Sequence, residues 1–92
     1  MLTAFVLIDT DPGQIPEVAA QVANLKGVSE CYSVAGDADL IAIVRVRDHN
    51  ELADVIADGV SKVPGVAHTK TMIAFRTYSN TELEQAFALG LE

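Results

Sequence analysis

Two strand–helix–strand patterns follow one another in this chain, and they predict an α+β domain. The expected architecture is a ferredoxin-like βαββαβ unit, in which a four-stranded antiparallel sheet carries both helices on one face. Three observations support it. Continuous apolar runs of strand length, residues 4–8 and 40–44, alternate with stretches of 3.6-residue periodicity. The junctions Leu25-Lys26-Gly27-Val28 and Val63-Pro64-Gly65-Val66 each lead from a helical stretch into a strand, a crude internal repeat. Right-handed crossovers in both halves then place the two helices on the same side of the sheet.

Residues 1–10 form the first strand. Phe5, Val6, Leu7 and Ile8 are apolar in succession, the pattern of a central strand, and the turn formers Asp9-Thr10-Asp11-Pro12-Gly13 end it. In the first helix, Ile15, Val18, Ala19, Val22 and Leu25 fall on one face. Pro16 is tolerated in its first turn, and Gly27 stops it. Residues 28–35 alternate, with Val28, Tyr32 and Val34 set against Ser29, Cys31 and Ser33, as an edge strand with a wetter face does. A turn at Gly36-Asp37-Ala38-Asp39 leads into a third strand, 40–46, apolar on both faces and paired with the second as a hairpin. Asp48 and Glu51 form a capping pair for the second helix, whose buried stripe is Leu52, Val55, Ile56, Gly59 and Val60. Residues 66–78 read as a long last edge strand. Asn80 or Thr81 with Glu84 caps a short C-terminal helix that presents Leu83, Ala86 and Phe87.

The chain has 92 residues, 13 of them acidic and 6 basic, for a net charge of −7, and half of its residues are apolar. That length suits one domain spanning 1–92, able to bury roughly two thirds of its unfolded surface. The acidic balance and the scattered basic residues argue against direct nucleic-acid binding. No apolar run approaches the roughly 20 residues that cross a bilayer, and no signal-peptide pattern opens the chain. A single cysteine, Cys31, allows no internal disulfide, so a cytoplasmic setting is expected. Half-apolar content is also more than one small domain easily hides. Two helices cover only one sheet face, yet Ile41 and Ile43 point away from Leu40, Ala42 and Val44. The leftover apolar face is expected to pair with a second copy as a homodimer.

No catalytic residues and no metal site are expected. The chain lacks nucleophile–base motifs and His/Cys ligand spacing, and it calls for no cofactor. His49 and His68 read as surface or interface residues, Cys31 as packing, and Glu51, Asp54 and Asp58 as a solvated helix face. The stretch Gly36-Asp37-Ala38-Asp39 is more informative. As a hairpin turn it uses glycine's freedom and aspartate's bonds to nearby amides. Such a turn also exposes backbone N–H groups that hold a carboxylate, beside an Asp that pairs with an ammonium group, and a free amino acid carries both charges. Thr69 and Thr71, two apart on the last strand, share a face.

Gly27-Val28, then Val34-Ala35-Gly36-Asp37-Ala38-Asp39-Leu40, then Val63-Pro64-Gly65-Val66 and Thr69-Lys70-Thr71, in this order, resemble the effector-binding (RAM) domain of the Lrp/AsnC, or feast/famine, regulators. The resemblance spans nearly the whole chain. It implies a domain that dimerises through its sheet, assembles into dimers of dimers up to an octamer, and binds amino acids at subunit interfaces. By this resemblance Gly36, Asp37 and Asp39 match the family's Gly-Asp-x-Asp turn, and Thr69 and Thr71 its last-strand threonines, making all five candidate ligand contacts. Family transcription factors carry a helix-turn-helix ahead of this domain, whereas here the first strand begins at Leu2. The expectation is a stand-alone effector domain that modulates transcription through hetero-assembly with a DNA-binding relative. Two other readings share the fold. One is a small dimeric oxygenase or isomerase, with His68, Tyr32 or Tyr78 converging on a cavity; the other is a pure protein-interaction module. ACT domains have the same element order but are not favoured by the turn and last-strand residues together.

Overall fold

The computed structural model describes residues 1–79. Its strands are β1 (Leu2–Thr10), β2 (Val28–Ser33), β3 (Leu40–Val46) and β4 (Val66–Ile73), with helices α1 (Ile15–Ala23) and α2 (His49–Asp54) in the two crossovers. They form one antiparallel sheet in the order β2-β3-β1-β4, so the two strands that are apolar on both faces are central and the two with more polar residues lie at the edges. This is the ferredoxin-like arrangement that the element order predicts.

Register decides which side chains share a face. Ala4 pairs with Val44, Val6 with Ala42 and Ile8 with Leu40, and all six are fully buried beneath the helices. Val18 and Val22 of α1 and Leu52, Val55 and Val60 of the second crossover close this core. Burying each such side chain stabilises the fold by roughly 1.5–3 kcal/mol, so the helix-covered face carries most of the hydrophobic stabilisation. The alternate residues Phe5, Leu7, Ile41, Ile43 and Arg45 project to the other face, which no helix among the described residues covers.

The second helix begins as expected. The Asp48 carboxylate accepts a hydrogen bond from the Glu51 N–H at 2.9 Å, satisfying a first-turn donor. The helical path then continues beyond Asp54 through a π-helical turn, Val55–Gly59, and a 3-10 turn, Val60–Lys62. The two junction glycines have a steric role. Gly27 (φ +93°) and Gly65 (φ +97°) both adopt the left-handed backbone region, and a Cβ there would lie 2.7 Å from Val55 Cγ2 and 2.8 Å from Val18 Cγ2 respectively. The repeat seen in the sequence is thus where each crossover presses against a helix.

Two boundaries differ from the sequence expectation. β2 stops at Ser33, two residues early, because residues 34–39 turn toward β1, where the Asp39 N–H bonds to the Ile8 carbonyl. β4 stops at Ile73, not at Tyr78: its pairing ends with Ala4↔Ile73 and the Ala74 N–H to Thr3 carbonyl bond at 2.8 Å, and β1 has almost no residues left to pair beyond that point. The expected C-terminal helix, from Asn80 or Thr81 onward, lies outside the described residues. Among the described residues no helix is long and apolar enough to cross a membrane.

Candidate functional site

The β2–β3 loop is tied to the end of β1 and closed on itself by four hydrogen bonds. The Val34 N–H donates to the Asp39 carbonyl at 3.0 Å, and the Asp39 N–H to the Ile8 carbonyl at 3.0 Å. Asp39 Oδ2 accepts from the Thr10 N–H at 2.9 Å and from the Thr10 hydroxyl at 3.4 Å. Ala38 is buried as an anchor, while Gly36 and Asp37 stay exposed at the tip. Gly36 supplies the positive φ, +129°, that lets the chain turn back.

On the other side of β1, the pairing with β4 shifts by one residue. Asp9 faces His68 but Thr10 faces Val66, so Ala67 is the extra residue of a β-bulge. Bulges re-aim the side chains beside them. Here the bulge adjoins a pocket of about 250 Å³, lined by Leu7, Asp9, Asp37, Ala38, His68, Thr69 and Lys70. That volume is just under the usual range of about 300–1,000 Å³ for small-molecule pockets. The pocket opens on the helix-free side, where β1, β4 and the loop tip meet.

The five residues singled out by sequence are therefore divided. Asp37 and Thr69 line this pocket. Gly36 shapes the loop that brings Asp37 there but does not line it. Asp39 is engaged in holding the loop to Thr10. Thr71 shares the helix-side face with Thr69, as their pairing with Val6 and Ile8 shows, but lies one step farther along the edge. Asp9, Lys70, Leu7 and Ala38 were not anticipated. The signal that finds them is the β1–β4 register, which sets Asp9 opposite His68 and Leu7 opposite Lys70. His68 Nδ1 lies 3.0 Å from the Ala67 carbonyl, within hydrogen-bond distance.

A larger hollow of about 540 Å³ lies between the α1–β2 turn and α2, with Lys26, Arg47, Asp48, Glu51, Asp54 and Asp58 among its lining. Most of those charges already have partners. Asp48 caps the helix, Arg47 Nε pairs with Glu51 at 3.1 Å, and Lys62 pairs with Asp58 at 3.6 Å. Its size gives it no chemistry that the smaller pocket lacks. Among the described residues no group of three or more His, Cys, Asp or Glu is arranged to hold a metal ion.

The helix-free sheet face is the other notable surface. Phe5 is 37% exposed, Tyr32 51% and Met72 49%. Ile43 is buried and Ile41 half-buried, less open than the sequence suggests, because on a central strand Ile43 is flanked by Phe5 and Glu30 and Ile41 by Leu7 and Tyr32. At the β2 side of this face the Tyr32 hydroxyl donates to Glu30 at 2.5 Å, and Arg45 Nη1 lies 3.4 Å from the other Glu30 oxygen. The Tyr32 hydrogen bond, aided by Arg45, holds the Glu30 carboxyl below its ordinary range; the same bond raises the Tyr32 phenol. Burial raises the Cys31 thiol, in keeping with a packing residue.

The model of the Lrp/AsnC ligand-binding domain matches residues 3–83. The chain belongs to the Lrp/AsnC family. An uncharacterised helix-turn-helix transcriptional regulator of Pyrococcus horikoshii is 40% identical over 78 residues, which cover 82% of this chain and 52% of that protein. The chain spans about half the length of the curated Lrp/AsnC relatives it matches. Among solved structures, TTHA0845 from Thermus thermophilus is 42% identical with a TM-score of 0.83, covering 87% of this chain and 100% of that one. A feast or famine regulatory protein of Mycobacterium tuberculosis, complexed with L-methionine, is 30% identical with a TM-score of 0.74, over 88% of this chain and 54% of its own. The chain is thus similar both to longer regulators, over about half their length, and to a solved chain over its whole length.

Proposed function

We propose that this chain is a non-enzymatic sensing module of the Lrp/AsnC type that binds a free amino acid or a similar small metabolite and couples binding to its state of assembly. The observation that carries this reading is the pocket at the loop tip, where Asp37 meets Asp9 and Lys70 and Thr69 borders the opening. Carboxylates for an ammonium group and an ammonium for a carboxylate, around one small pocket, fit the two charged ends of an amino acid. The methionine complex of the Mycobacterium tuberculosis relative supports the ligand class. Asp39 takes part indirectly, by fixing the loop; Gly36 does so by shaping it, and Thr71 extends the edge beside Thr69.

The helix-free face, with Phe5, Tyr32 and Met72 exposed, supports a homodimer formed through it. Dimers then join into higher assemblies, up to an octamer. The pocket opens on that same side, so a second copy approaching the face also approaches the ligand. A ligand that touches two chains stabilises the assembly that completes its site, through differential affinity alone. In a cytoplasmic setting such a module acts on transcription by mixed assembly with a DNA-binding relative, which supplies a helix-turn-helix.

Calorimetry against the twenty amino acids, with light scattering on the same samples, tests the reading. The expected result is binding of a subset together with a shift in mass; no binding and an unchanged monomer would sink it. A pure interaction module is the second reading, favoured by the match to half of each longer regulator. Co-purification with a helix-turn-helix relative in the absence of any ligand response would select it. The enzyme reading is disfavoured by geometry. Tyr32 lies on β2 and His68 on β4, the opposite outer strands, and Tyr78 is largely exposed beyond the sheet.

A further inference from the structure

The charges around the loop-tip pocket do not balance. Asp9 and Asp37 contribute two carboxylates against the single ammonium of Lys70. None of these three charged groups is in an ion pair or a side-chain hydrogen bond among the described residues, unlike Asp39, which is held by Thr10. They are therefore free to meet a ligand. Asp9 is the most consequential of them, because it is half-buried on β1, where an unpaired carboxylate is less well hydrated than one at a loop tip. The backbone N–H groups of Asp37 and Ala38 also find no acceptor among the described residues, and they lie beside the same opening.

A neutral amino acid uses only part of this set. Its carboxylate takes Lys70 and the loop amides, its α-ammonium takes one aspartate, and the second aspartate is left without a counter-charge. Resting on the amino-acid reading above, we infer that the ligand is an α-amino acid with a cationic side chain, of the arginine or lysine type, whose second positive group meets the remaining carboxylate. Charge complementarity then holds at both levels. The Asp and Lys side chains that one chain brings to the pocket sum to minus one and such a ligand is net positive by one, while the chain's overall −7 favours approach of cations. An acidic amino acid reverses this match.

Calorimetry on the wild-type chain with arginine, lysine, citrulline, norleucine and glutamate decides the matter. Citrulline has nearly the shape of arginine without its charge, and norleucine lacks the lysine ammonium. Arginine or lysine is expected to bind about tenfold or more tighter than its uncharged counterpart, as one additional charge-assisted contact in a partly buried site provides. Glutamate is expected not to bind. Asp9→Asn, which keeps side-chain size, is expected to narrow the arginine-to-citrulline ratio, and raising the salt concentration is expected to narrow it in the wild type as well. Equal affinity for arginine and citrulline, or tighter binding of neutral amino acids, overturns this inference and leaves the amino-acid reading intact. Binding of no amino acid at all overturns both.

Discussion

The two faces of this sheet are made by the same strands, residue by residue in alternation, yet they do different work. On the helix-covered face Ala4, Val6, Ile8, Leu40, Ala42 and Val44 are fully buried. On the other face Phe5, Tyr32 and Met72 remain substantially exposed, next to the Glu30–Arg45 pair and the loop-tip pocket. One face is sealed within the chain, and the other sets apolar and charged side chains side by side in contact with solvent. The difference teaches that the residues that stabilise the fold and those left open for the proposed partner are separate sets, alternating along each strand.

That separation can be tested at several points, and the largest effect belongs to the covered face. Leu40→Ala is expected to lower unfolding free energy by about 3 kcal/mol, because it empties a fully enclosed position between the sheet and the helices. Urea denaturation measures this, and a change below about 1 kcal/mol would mean the core collapses around the gap. Gly27→Ala should cost about 2 kcal/mol by the same measurement, since the added methyl meets Val55 and Val46 in a backbone conformation unsuited to alanine.

The helix-free face should behave oppositely. Phe5→Glu is expected to change the stability of the dilute monomer by only about 0.5 kcal/mol while abolishing self-association in sedimentation runs. A retained dimer would show that the partner docks elsewhere. The smallest expected effect concerns Glu30. Its folded-state acidity is enhanced chiefly by the Tyr32 hydroxyl, so this contribution to stability is present above its ordinary value of 4.5 and is lost as pH falls through the lower, folded value. Tyr32→Phe should return the Glu30 carboxyl upward toward 4.5 in an NMR titration, with Arg45 alone keeping a small part of the depression. An unmoved titration would place Arg45, not Tyr32, as the dominant partner.

Much of this organisation is legible in the sequence. Leu40 to Val46 as a strand apolar on both faces, the Asp48–Glu51 cap and the paired glycine junctions all follow from local rules, and the structure has each of them. The reason is that period, capping and left-handed turns are decided within a few residues. The candidate site is only half legible. Asp37 and Thr69 both line the pocket, yet Asp9 and Lys70 cannot be placed beside them until the β1–β4 pairing sets their register. Asp39, outwardly equivalent to Asp37 in the motif, is instead engaged by Thr10, a residue distant in sequence.

The sequence by itself determined the element order, the central and edge strands, and the surplus of apolar side chains that one set of helices cannot cover, because all of these are written in short-range periodicity. Only the tertiary structure decided where β4 ends, which aspartate is structural and which faces a pocket, and how two carboxylates and one lysine come to surround the same space. Those outcomes depend on register and loop anchoring between segments far apart along the chain, where a shift of one residue sends a side chain to the opposite face.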